Sequence, residues 1–258
     1  MIKIAISPCP NDTFLFAPWI LGHVAKPPSV TFADIEQLNN WAFEKKFPLI
    51  KVSIAALAQM KDYELLPVGA ALGDHVGPKI IANRPYALED LPFLRIAIPG
   101  KWTTAHALLQ KLCPEPLEKH FCLFHEITDL LKQGIVDAGV IIHESRFTFE
   151  QEGFIQIADL GDLWDERYHL PLPLGGLALL KNDPRREEII EILQKCFDYA
   201  TEHTADLMPF IMEHAQYPKV ALPHIQTYVT SETRALSLKG QEAIWRLTDG
   251  KITALCYT

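Results

Sequence analysis

The chain has 258 residues, 48% of them hydrophobic and 22% charged, with a formal net charge of -8. That is the balance of a globular protein with one large core or two small ones. No Lys- or Arg-rich run suggests a nucleic-acid partner, no apolar run approaches the roughly 20 residues of a membrane span, and the first residues lack the basic region and apolar core of a secretory signal, so the cytoplasm is the expected compartment.

Residues 2–6 read as a strand and 13–23 as a helix, with Ser7-Pro8-Cys9-Pro10-Asn11-Asp12 between them. Each proline presets φ and lacks an N–H, which suits a stiff strand-to-helix turn. Asn11, Asp12 or Thr13 is expected to cap the helix. Further strands are expected at 30–32, 50–52, 66–72 and 79–82, with helices at 41–47 and 54–61. The pattern then restarts. Residues 95–98 form a strand ending in Pro99-Gly100, 103–112 a helix, 121–124 a strand, 126–133 a helix closed by Gly134, and 137–142 a strand. A Pro/Gly-rich loop at 171–176 precedes an apolar 177–180, and 185–213 and 231–247 read as mostly helical. Alternation of strands and helices predicts an α/β protein with largely parallel sheets. The restart near 95 predicts a second lobe, with lobe I formed by 1–88 and 175–258 and lobe II by 89–174.

In open α/β sheets ligands bind at the carboxyl ends of strands. The residues there are Ser7 to Asp12, Lys51 and Ser53, Lys101 to Thr104, and His143 to Arg146. Thr103 and Thr104 open a helix, where free N–H groups favour an anion and a threonine also serves as a cap. His143 directly follows an apolar strand, and its ordinary pKa suits a general base. Lys51 and Ser53 either contact a ligand or form the polar face of a strand. No GxxxxGK[ST] motif supports a nucleoside triphosphate, and no HExxH or zinc-type Cys spacing supports a metal. The five cysteines, Cys9, Cys113, Cys122, Cys196 and Cys256, show no CxxC and are expected to be mainly buried thiols. Cys9 stands between two prolines with no histidine nearby in sequence, so it is expected to be inert, and Cys9→Ser to remain active.

Several blocks together resemble the 1,4-dihydroxy-6-naphthoate synthase family of the futalosine route to menaquinone. They are Ser-Pro-Cys-Pro-Asn-Asp-Thr-Phe at 7–14, Lys51-Val52-Ser53, Pro-Gly-Lys-Trp-Thr-Thr-Ala at 99–105, Val-Asp-Ala-Gly-Val-Ile-Ile-His-Glu at 136–144, Arg146-Phe147-Thr148, Asp159-Leu160-Gly161 and Leu-Pro-Leu-Pro-Leu-Gly-Gly at 170–176. The resemblance implies a two-lobed type 2 periplasmic-binding-protein-like fold with the ligand in the cleft between the lobes. It implies a carbon–carbon lyase without an obligatory cofactor that converts cyclic de-hypoxanthinyl futalosine to 1,4-dihydroxy-6-naphthoate. It places the general base on His143 and substrate binding on Lys51, Val52, Ser53, Thr103 and Thr104. Asp12, at the expected mouth of the cleft, would bind a substrate hydroxyl or orient His143. Phe14, Trp102, Phe147 or Leu174 would supply apolar walls. Phe47-Pro48-Leu49 and Tyr228-Val229-Thr230 depart from the family pattern.

Two other readings compete. A chorismate dehydratase-like enzyme of the same fold is disfavoured by the 7–14 and His-Glu blocks. A solute-binding protein would not need a base at His143, and the start of the chain shows no secretion signal.

Overall fold

The computed structural model describes residues 2–252; Cys256 lies outside them. The chain opens with β1 (Lys3–Ile6), α1 (Pro10–Ile20), β2 (Ser29–Phe32), α2 (Ile35–Phe43), β3 (Leu49–Ser53), the single turn α3 (Ile54–Leu57), β4 (Tyr63–Leu65) and β5 (Ala71–Gly73). β1 runs parallel to both β2 and β3. Alternation splits β1 between two layers: Ile4 and Ile6 pack with Leu15, Phe16 and Trp19 of α1, while Ala5 faces Ile50 and Leu38 on the other side. The first helix begins at Pro10, three residues earlier than expected. Proline is well placed there, because the N–H it lacks would have no intrahelical partner. Cys9 is the N-cap residue and offers no side-chain cap, so Asn11, Asp12 and Thr13 stand inside the first turn. Residues 66–72 do not make one strand. Pro67 and Gly69, the latter at φ 82°, break the run between β4 and β5.

The second sheet is built from β6 (Lys79–Ala82), β7 (Arg95–Ile98), β8 (Glu118–Phe121), β9 (Ala138–Ile141) and β10 (Ile155–Asp159), with α4 (Thr104–Leu112), α5 (Ile127–Lys132) and α6 (Leu160–Tyr168) around it. Its order is β10-β6-β9-β7-β8, parallel only at β9-β7-β8. Residues 79–82, expected in lobe I, therefore hydrogen-bond within the second sheet, between β9 and β10. The strand expected at 121–124 is β8, three residues earlier. It is an edge strand whose largely exposed, charged sequence hides it from an apolar pattern.

The chain returns through β11 (Leu172–Leu180), which inserts antiparallel between β3 and β4 and also pairs with β5. The Pro/Gly run at 171–176 is thus largely strand, not loop. Pro173 is tolerated because the β5 pairing is irregular there. Both sheets are mixed rather than largely parallel, because the strands that follow each crossing run against the strands they join. The helices α7 (Arg186–Glu202), α8 (Thr204–His214), α9 (Ala221–Tyr228), α10 (Ser231–Arg234) and α11 (Leu238–Leu247) complete the first lobe. α7, α8 and α9 enclose α1, so Phe14 and Ala17 pack against Leu207, Ile211 and Ile225. Among the described residues, no helix is long and apolar enough to cross a membrane.

Candidate active site

The carboxyl ends of β1, β3, β7 and β9 converge on a cleft between the two sheets with a cavity volume of about 100 Å³. Gly175, at the start of β11, pairs with Ser53 and closes the same end of the first sheet. Ser7, Asp12, Lys51, Ser53, Thr103, Thr104 and His143 all line this cleft. Val52 does not. Its neighbours Lys51 and Ser53 point to one face of β3, and by alternation Val52 points to the other, into the core beside Ala5 and Ile50.

The floor is a saturated polar network. Asp12 Oδ1 lies 2.7 Å from Lys51 Nζ, with both side chains about 5% exposed or less. Ser7 Oγ donates to Asp12 Oδ2 at 2.6 Å, and Asn11 Nδ2 donates to Oδ1 at 3.0 Å. Lys51 Nζ also donates to Gly69 O at 3.2 Å. A buried ammonium is tolerable only when paired and hydrogen-bonded, and Asp12 supplies that pairing. Its polar contacts go to Ser7, Asn11 and Lys51, so it supports the floor rather than orienting His143. Ser53 is held by Asn39, which accepts from Ser53 N at 2.9 Å and donates to Ser53 Oγ at 3.1 Å.

Thr103 caps α4, its Oγ1 accepting from His106 N at 3.3 Å. Thr104 Oγ1 donates to Leu174 O at 2.6 Å. Both hydroxyls therefore have protein partners, and the backbone N–H groups of Thr104 and Ala105 are what remain for a ligand.

His143 is the residue that sequence spacing alone could not orient. It has φ 57°, a left-handed conformation that in a non-glycine residue costs on the order of 1–3 kcal/mol and turns the chain sharply after β9. Its Nδ1 lies 2.9 Å from Cys9 Sγ, and its ring packs edge-on against Phe124 at 4.8 Å. Cys9 is thus not isolated. Its histidine comes from 134 residues away. Burial, reinforced by the charges of Glu144 and Asp12, pushes the Cys9 thiol well above its ordinary pKa, so it is a neutral S–H and not a thiolate.

Glu144 is 1% exposed, and its Oε1 has no hydrogen-bond partner. Donor atoms of Cys9, His143 and Glu144 lie within 4.8 Å of one another, a set able to hold a metal ion. The 2.9 Å Sγ–Nδ1 separation is that of a direct hydrogen bond. Two ligands on one tetrahedral zinc would stand roughly 3.5 Å apart.

Several contacts join the lobes across the cleft. Besides Cys9–His143, the Glu36 carboxylate of α2 accepts from Trp102 N at 3.1 Å, Thr104 bonds Leu174, and Arg146 Nη1 donates to Tyr228 Oη at 2.8 Å. Gly100, at φ 111°, has no room for a Cβ, which would stand 2.5 Å from the Glu36 carboxyl carbon. Burial raises the Glu36 pKa. Arg146 also pairs with Asp159 at 3.2 Å, and Asp159 with Lys79 at 3.1 Å. Of the expected apolar walls only Leu174 lines the cleft, together with Ile35, Ala71, Ala105 and Ile142. Phe14 is in the α1–α8 core, Trp102 packs on Phe43, and Phe147 stands edge-on to His224. His224 and Tyr228 also line the cleft. No local pattern marks them, because both come from α9 near the end of the chain.

Two α/β lobes joined by two crossings, with strand ends facing an interlobe cleft, define the periplasmic-binding-protein-like class. A crystal structure of a protein from Archaeoglobus fulgidus superposes with a TM-score of 0.90 at 29% identity, covering 96% of this chain and 95% of that one. The alkanesulfonate-binding protein SsuA from Xanthomonas axonopodis pv. citri, at 14% identity, a TM-score of 0.69 and coverage of 96% and 91%, shares the fold. The family model described as menaquinone biosynthesis matches residues 2–249, and the chain belongs to that family. It is 39% identical to the 1,4-dihydroxy-6-naphthoate synthase of Thermus thermophilus, over 95% of this chain and 92% of that one. To the enzyme of the same name from Streptomyces coelicolor it is 36% identical, over 94% and 90%.

Proposed function

We propose that this protein is a 1,4-dihydroxy-6-naphthoate synthase, a carbon–carbon lyase that converts cyclic de-hypoxanthinyl futalosine to the naphthoate, with His143 as general base. The observation that carries this reading is His143 itself, set in a left-handed turn at the end of β9 on the cleft wall. In this reading Nδ1 carries a hydrogen and donates it to the neutral Cys9 sulfur, leaving the Nε2 lone pair to take a proton from the substrate. Loss of that proton, with expulsion of the sugar-derived fragment, lets the bicycle become aromatic. The substrate carboxylate suits the first turn of α4, where Thr103 and Thr104 shape the site and free N–H groups favour an anion. Lys51, Ser53 and Asp12 form the polar floor, with the Asp12–Lys51 pair presenting little net charge to the substrate. The lobes divide at the two crossings, near 74–78 and 169–171, and their closure excludes water during the lyase step.

The test is turnover of cyclic de-hypoxanthinyl futalosine followed by naphthoate absorbance. The wild type is expected to form product. His143→Ala is expected to lose about 10²- to 10⁴-fold in kcat while still binding the compound. Binding without turnover by the wild type would reassign the protein as a solute-binding protein.

A further inference from the structure

We propose that His224 is a specificity-determining residue of the cleft: its Nδ1 accepts a hydrogen bond from a neutral hydroxyl of the bound substrate. The inference rests on the activity proposed above only for the identity of that substrate.

The argument begins at Lys51, which fixes Asp12 as a carboxylate by direct pairing. Asn11 Nδ2 donates to Asp12 Oδ1 at 3.0 Å. The opposite amide orientation would set two acceptor oxygens against each other, so the Asn11 orientation is determined. Asn11 Oδ1 then faces His224 Nε2 at 3.0 Å. An amide oxygen only accepts, so Nε2 carries the hydrogen. Burial, helped by the charges of His143 and Arg146, lowers the His224 pKa to about 3. The ring is therefore neutral at physiological pH, and Nδ1 holds a lone pair and no hydrogen.

That lone pair is without a donor. His224 is 2% exposed, and Nδ1 is buried with no hydrogen-bond partner. Leaving such an acceptor unpaired costs about 1–3 kcal/mol. The groups facing the ring do not supply a donor. Arg146 spends its hydrogen bonds on Gly77 O, Tyr228 Oη and Asp159. Tyr228 Oη beside the ring accepts from Arg146 and keeps its own O–H, but it makes no hydrogen bond to Nδ1, and Phe147 is apolar. Because His224 borders the cleft, a donor can arrive with the ligand. The Arg146 guanidinium nearby disfavours a cationic donor, which leaves a neutral one such as a hydroxyl. The substrate class is thus one with a free hydroxyl near α9, as the sugar-derived part of the proposed substrate has.

Glutamine and asparagine separate the two ring nitrogens. In His224→Gln the side-chain amide reaches the Nε2 position and keeps the Asn11 contact but loses the Nδ1 acceptor. In His224→Asn a polar atom returns near the Nδ1 position. His224→Gln is expected to raise KM for cyclic de-hypoxanthinyl futalosine about tenfold with kcat nearly unchanged, and His224→Asn to recover much of that loss, both with melting curves like the wild type. Nitrogen-15 NMR of the wild-type imidazole is expected to show hydrogen on Nε2 only, and a shift of the Nδ1 resonance as the compound saturates the cleft. An unchanged KM in His224→Gln, hydrogen on Nδ1, or an Nδ1 resonance unmoved at saturation would overturn the inference. A wild type that gives the Nδ1 shift without turnover would keep the inference and remove the proposed activity. Failure of the wild type to bind the compound would overturn both.

Discussion

Cys9 and His143 meet through one atom pair, and that pair makes the residue-scale argument. In the proposed mechanism His143 Nδ1 keeps its hydrogen so that Nε2 is basic, and Cys9 Sγ, 2.9 Å away, would be the acceptor that holds it there. Cys9→Ala is expected to lower kcat about tenfold with little change in KM, the loss of one hydrogen bond. Cys9→Ser should stay close to wild type, since a hydroxyl oxygen accepts the same hydrogen. Steady-state rates for the two variants decide the point, and an alanine variant as fast as the wild type would remove Cys9 from the mechanism. Asp12 has a different role. Its removal leaves Lys51 charged and buried, with Gly69 O its remaining partner. Asp12→Ala is expected to cost about 3–5 kcal/mol of stability. The double variant Asp12→Leu/Lys51→Met should recover most of it in denaturant titrations, because the unpaired charge is gone. If the double variant is as unstable as the single one, the pair is not the cause. His143 and Asp12 were both legible as strand-end residues. Their partners were not, because Cys9 and Lys51 reach them across the fold.

At the scale of elements, Arg95 and Asp137 tie the entrances of the two parallel strands β7 and β9. Arg95 N and Nε both donate to Asp137 Oδ2, at 2.9 and 3.0 Å, and Nη2 to Oδ1 at 3.1 Å. The hydrogen bonds from Arg95 hold the Asp137 carboxyl below its usual 3.8. The group therefore stabilises the fold above the unfolded-state pKa, and the contribution is lost as pH falls through the lower folded value. Asp137→Asn is expected to lower the urea midpoint modestly at pH 7, since the pair is partly exposed, and the two midpoints should converge below about pH 3.8. A gap that stays constant with pH would show that the charge is not what Asp137 contributes. Strands such as β7 and β9 were legible because they are apolar and end in clear turn chemistry. β8 was misplaced because an exposed, charged edge strand carries no apolar period, and β10 was missed although Ile155 and Ile157 alternate around Gln156, because it is a short edge strand with both isoleucines partly exposed. β11 was hidden by its one proline and two glycines, which neighbours on both sides hold in strand geometry.

The whole molecule stands with its lobes joined, and Glu36 is the clearest latch. Its carboxylate takes the Trp102 N–H from the opposite lobe, and Gly100 leaves room for it. Glu36→Ala is expected to shift the ligand-free protein toward a more open form, with a larger radius of gyration in small-angle scattering and a KM raised about tenfold, the loss of one charge-assisted contact between the lobes. Scattering and KM both unchanged would mean that Glu36 does not hold the lobes together.

The sequence by itself determined the α/β class, the two-lobed layout and the strand-end positions of His143, Lys51, Ser53 and the Thr103–Thr104 turn. These features are local. Burial and backbone period are written into consecutive residues, and strand ends bind ligands wherever such sheets form. The tertiary structure alone decided which strand ends face one another. It brought Cys9 to His143 across 134 residues and Asn11 to His224 across 213, turned Val52 into the core, and paired Asp12 with Lys51. Hydrogen bonds and ion pairs act over about 3 Å, so their partners are set by how the lobes pack and not by spacing along the chain.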